Sequence, residues 1–61
     1  MYIIRMENDR YIYHISIANL VYEGVRVDFI TTKAREHAMM FKKKYMAQAF
    51  AKLFKGKVEM L

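Results

Sequence analysis

Apolar and polar residues alternate along the first half of the chain and recur at helical spacing in the second, which predicts strands followed by a helix. Residues 1–7 read as a strand. Asn8-Asp9 reads as a two-residue turn, because both residue types tolerate positive φ. With that turn Met6 faces Tyr11, Ile4 faces Tyr13 and Tyr2 faces Ile15. One face then collects Tyr2, Ile4, Met6, Tyr11, Tyr13, Ile15 and Ile17. The opposite face carries Ile3, Arg5, Glu7, Arg10, Ile12, His14 and Ser16, with Glu7 and Arg10 as opposite charges across the strands. A second hairpin turns at Glu23-Gly24 and sets Tyr22 against Val25 and Leu20 against Val27. The inward phase is odd up to Ile17 and even at Leu20 and Tyr22, so a β-bulge or a break is expected near Ala18-Asn19.

Thr31 or Thr32 is the expected N-cap of a helix, since a hydroxyl can accept from the free N–H groups of a first turn. From Lys33 to Lys55 there is no Gly or Pro, and Ala34, Ala38, Phe41, Tyr45, Ala49 and Leu53 form an apolar stripe. Lys44, Gln48, Lys52 and Lys55 make the polar side. Gly56 is the expected stop at C′. Lys57-Val58-Glu59-Met60-Leu61 returns to a period of two and can add a fourth strand. A helix over 33–55 would be roughly 35 Å long, beyond the ~27 Å breadth of a compact chain this short. Either the helix overhangs or it breaks around 38–43. The alternative is a helical turn at 32–37, an extended piece at 38–41 and a helix at 43–55. The expected fold is α+β: an antiparallel β-meander of three strands, open to a fourth, with one main α-helix packed on one face of a single domain, residues 1–61.

The chain has 61 residues and a net charge of +5, with 56% hydrophobic residues and no Cys, Pro or Trp. Missing Cys removes disulfides, thiolate catalysis and Cys-based zinc sites, and suits a reducing cytoplasm. The charge is uneven. Residues 1–30 carry Arg5, Arg10 and Arg26 against Glu7, Asp9, Glu23 and Asp28, whereas residues 31–61 carry eight Lys/Arg against Glu36 and Glu59. A negatively charged partner should therefore approach the C-terminal half. No uninterrupted apolar run approaches the ~20 residues of a spanning helix, and the charged N-terminal start predicts no signal peptide.

Catalytic material is scarce. Ser16 is the lone serine and falls mid-strand, and two glycines make no phosphate-cradling loop. His14 and His37, with Glu36 or Asp28, match no metal-ligand spacing. The expectation is a protein that is not an enzyme and uses no cofactor. Lys42, Lys43, Lys44, Lys52 and Arg35 are the candidate contacts for a partner or for nucleic acid, weighed against a merely solubilising face. Ile3, Ile12, His14, Val21 and Ile30 fall on the outer sheet face, where a lone small domain would leave β-branched residues wet. They are the candidate homodimer interface.

The run Thr32, Ala38, Phe41, Ala47, Ala51, Gly56, Val58, together with the opening Tyr2-Ile3-Ile4-Arg5, resembles small accessory proteins encoded by phages and prophages of Gram-positive bacteria. Those share a Tyr-Ile/Val-Ile-Lys/Arg strand, an Ala-x-x-Phe segment, an Ala-x-x-x-Ala helix and a closing Gly-Gly-x-Val strand. Two features depart from the pattern: Lys42-Lys43-Lys44-Tyr45 replaces the usual Ser/Thr-x-Glu-Glu-Ala helix start, and Lys55-Gly56 replaces the glycine pair. The resemblance implies a host-directed accessory protein and transfers no catalytic residue. The leading expectation is thus a non-catalytic protein-binding module, in the host cytoplasm, that binds and modulates or inhibits a host factor such as an antiviral defence component. The alternative is a small basic nucleic-acid-binding protein.

Overall fold

The structure is a computed structural model and describes residues 1–22 and 24–61. Among these, four antiparallel strands form one sheet: β1 (Tyr2–Arg5), β2 (Tyr11–Leu20), β3 (Gly24–Thr32) and β4 (Lys57–Met60), in the order β3-β2-β1-β4. A single 3-10 turn, Arg35–His37, and one helix, α1 (Lys44–Phe54), lie between β3 and β4. The fold is α+β, and the C-terminal period of two does return as the fourth strand, pairing Tyr2 with Met60 and Ile4 with Val58.

The first hairpin closes through three residues rather than two. Arg5 pairs with Tyr11, Met6 N–H donates to the Arg10 carbonyl at 2.6 Å, and Asp9 takes φ 58°. A three-residue loop with a left-handed last residue is a common hairpin closure. The consequence is a slip of one residue from the expected register, and such a slip exchanges faces. Ile12 therefore enters the core beside Ile4, while Tyr13 turns out to solvent.

β1 and β2 then part, and the stretch after the 3-10 turn fills the gap. Met39 N–H donates to the Ile12 carbonyl, and Phe41 exchanges both backbone bonds with Tyr2, all at 2.8 Å. This extended piece is why no continuous helix spans 33–55. The break falls where the length argument put it, because Ala38 and Phe41 are worth more as buried sheet filler than on an overhanging helix. The stripe phased from Ala34 to Leu53 fails for the same reason. Tyr45 and Leu53 are exposed, and α1 buries Ala47 and Ala51 instead.

The core is Ile4, Ile12, Phe41, Ala47 and Ala51, with Tyr2, Met6, Ile15, Phe50, Phe54 and Val58 packed round it. The small alanines let α1 approach the sheet. A file of rings ties the layers: Phe41 to Phe50 at 5.8 Å, Phe50 to Phe54 at 6.1 Å, and Phe54 to Phe29 of β3 at 4.4 Å between centroids.

Two further expectations are corrected. The register irregularity lies between Ile12 and His14, not at Ala18-Asn19. It lets Ile12 and Ile15 face the same side three residues apart, with the extra residue absorbed at Tyr13. In the second hairpin Leu20 pairs with Gly24, not Val27, and Gly24 carries φ +85°. Glu23, the other residue of the expected turn, lies outside the described residues.

The end of α1 is a further departure. Lys55, not Gly56, takes the left-handed conformation, with φ 62° and ψ 38°, and Gly56 N–H bonds back to the Ala51 carbonyl at 2.8 Å. Gly56 is required for room. A Cβ there would lie 2.7 Å from Ile4 Cγ2 and 3.1 Å from the Arg5 carbonyl. The two positions should respond oppositely in denaturant titrations. Lys55→Gly should gain about 1 kcal/mol by relieving a left-handed non-glycine residue. Gly56→Ala should lose about 1–3 kcal/mol through overpacking against backbone that cannot yield.

Candidate functional site

α1 begins badly for a helix, and that is informative. Its N-cap is Lys43 with no side-chain cap bond, and its first turn holds no acidic residue. Lys42, Lys43 and Lys44 crowd the end where the helix dipole already presents positive charge. Each such cation is worth ~0.3–1 kcal/mol in the unfavourable sense. Violations of local preference of this kind concentrate at functional sites. Lys43 Nζ lies 5.8 Å from the centroid of the exposed Tyr45 ring, a weak cation–π contact.

Helical spacing carries the basic character from this end along one flank. Lys44, Gln48 and Lys52 follow at intervals of four and face β4 across a groove of about 560 Å³. Lys57 stands on the opposite bank. Tyr2, Ala51, Gly56, Val58 and Met60 complete the lining. Gly56 opens this groove as well as admitting Ile4, since it occupies the crossing from α1 into β4. The lining includes three lysines and no carboxylate. An apolar bed under a rim of lysines can bind a negatively charged group that also carries apolar surface.

Of the five residues expected to bind a partner, Lys44 and Lys52 line this groove. Lys42 and Lys43 are exposed at the helix entry, next to the Tyr2–Phe41 bridge. Arg35 does not join them. Its guanidinium reaches the Met60 carbonyl at 3.5 Å, at the far end of β4. Sequence reasoning missed Lys57, Gln48 and Tyr2. Lys57 follows the helix stop at Gly56, so the return of β4 alongside α1 was the signal that could have placed it.

The expected outer-face residues divide. Ile3 and Ile12 are both 0% exposed and have no surface to offer a second copy. Ile12 is inside because of the register slip. Ile3 is covered on the face of β1 opposite Ile4, where Arg5 Nε also meets Glu59 Oε2 at 3.6 Å. His14 and Ile30 pair with each other across β2 and β3 and remain exposed, and Val21 is exposed at the hairpin tip. His37 lies in the 3-10 turn beside Glu36. Among the described residues no three His, Asp or Glu side chains gather in a metal-binding group. No helix among them is long and apolar enough to cross a membrane.

Compared with protein-family models, with curated proteins and with solved structures, the chain matches none.

Proposed function

We propose that the chain is a non-catalytic binding module, acting as a homodimer, whose α1–β4 groove takes an acidic segment of a protein partner. The observation that carries this reading is the groove itself: Lys44, Lys52 and Lys57 above an apolar bed of Ala51, Val58 and Met60. Charge complementarity would steer the partner in, and apolar burial would hold it. The lysines at the start of α1 add to the same potential, and an anionic partner offsets their conflict with the helix dipole. The resemblance to phage and prophage accessory proteins supports a host factor as that partner, including a component of an antiviral defence, met in the host cytoplasm.

A second reading, nucleic-acid binding, is favoured by Tyr45, exposed among the lysines and able to stack a base. The apolar bed speaks against it, because a phosphate backbone makes no use of one. Fluorescence anisotropy with a labelled acidic amphipathic peptide and a labelled oligonucleotide separates the two. The peptide should bind and keep much of its affinity from ~50 to ~200 mM salt, since only part of the interaction is ionic. Lys44→Glu with Lys52→Glu should weaken it at least tenfold at unchanged fold. Oligonucleotide binding that falls steeply with salt, with no peptide binding, would transfer the function to nucleic acid. Binding of neither would remove the groove as a site.

A further inference from the structure

The β2–β3 hairpin runs most of the length of the molecule. β2 alone spans about 33 Å at ~3.3 Å per residue, and the molecule measures 38 × 22 × 17 Å. β1 leaves β2 at Tyr11 and Met39 is bonded to Ile12, so the strands from His14 onward run out as a two-stranded arm. Such a hairpin is marginal in water by itself.

The two faces of the arm differ in kind. Ile15 pairs with Phe29, Ile17 with Val27 and Asn19 with Val25, and paired residues share a face. Phe29 packs at a tilt against Phe54 of α1, so this is the helix side. Beyond Phe29 its cover thins among the described residues: Val27 is still half-buried, but Ile17 is 65% and Val25 66% exposed. The other face carries His14 with the exposed Ile30 near the body, then Ser16 with Asp28 and Ala18 with Arg26, with Arg26 Nε 2.9 Å from Asp28 Oδ2. A largely apolar, uncharged side backed by a side that carries the arm's charges is the pattern of half a two-layer sandwich.

We infer that this helix-side face of the arm is the interface with a second copy of the chain, the two arms packing face to face about a two-fold axis. The inference rests on the homodimer part of the reading above and is independent of the groove. Area argues for it. A compact chain of this mass exposes roughly 4,200 Å², whereas this one exposes 4911 Å². The excess, roughly 700 Å², approaches the ~800 Å² that each partner contributes to a standard interface. Charge argues for a second copy rather than a foreign partner. The apolar face holds no charged residue, and Arg26 is already paired with Asp28. Two such faces can therefore meet without bringing like charges into contact. A face that is its own complement is what a two-fold contact demands. Burying Ile17, Val25 and Val27 then gives each marginal hairpin its missing layer.

Sedimentation equilibrium of the full chain at micromolar concentration tests this. The wild type should show twice the 7.4 kDa of one chain. Ile17→Asp and Val25→Asp change residues already exposed in the single chain. Each should give one chain mass with an unchanged helical circular-dichroism signal, and if either variant unfolds the other decides. Ala18→Asp, on the polar face opposite Arg26, should stay dimeric. A wild type at one chain mass, an undiminished dimer in both apolar-face variants, or dissociation by Ala18→Asp would each overturn the inference.

Discussion

Ile12→Asp should leave the chain unfolded at room temperature. Ile12 is fully enclosed between Ile4, Phe41 and the helix alanines. Deleting its buried aliphatic mass costs ~2–5 kcal/mol. The carboxylate that replaces it would be buried with no cation beside it, since the core holds only apolar side chains. Burial of an unpaired charge adds several kcal/mol more, or forces the group to stay protonated. A domain of 61 residues has only about 3–9 kcal/mol to lose. The expected readout is loss of far-UV circular dichroism and of any cooperative thermal transition. A folded Ile12→Asp chain would show that Ile12 faces outward and that the one-residue register slip is wrong.

Phe41→Ala should be nearly as severe, for a different reason. Phe41 is 5% exposed and joins three structures at once. Its backbone closes the gap between β1 and β2 through Tyr2, and its ring packs in the core and on Phe50 of α1. Truncation removes ~3–5 kcal/mol of packing. It also leaves a void at the one place where the extended segment holds the helix against the sheet. Urea titration should show a midpoint near zero denaturant. A loss below about 1 kcal/mol would mean that the cavity collapses freely and that the segment 38–41 is not a keystone.

The classes of element were legible in the sequence because periodicity reports burial directly. Alternation marked the strands, the Gly- and Pro-free stretch marked α1, and the length mismatch located the break at 38–41. Registers were not legible. They depend on turn geometry, and Glu7–Asp9 closes as three residues only because Asp9 accepts a left-handed backbone. That single choice moved Ile12 inside and Tyr13 outside. Neither the wedging of Met39 and Phe41 between β1 and β2 nor the left-handed Lys55 leaves a pattern in the residues. Both follow from tertiary packing overriding local preference. Of the candidate site, Lys44 and Lys52 could be found from charge at helical spacing. Lys57 needed β4 set beside α1. Of the residues expected at an outer-face interface, the register slip took Ile12 into the core, while His14, Val21 and Ile30 stayed exposed because the irregularity at Tyr13 restores the expected phase beyond it.

An arm completed by a second copy is the central claim, and amide hydrogen exchange along residues 16–22 and 24–27 tests it most directly. Here β2 and β3 pair only with each other, and a two-stranded hairpin is marginal in water, so lasting protection of their ladder amides depends on the partner chain. At high protein concentration the arm amides should exchange as slowly as those of β1. On dilution below the dimer dissociation constant they should exchange freely while β1, β4 and α1 stay protected. Arm protection that does not change with concentration, or arm amides that exchange freely at every concentration, would contradict the account.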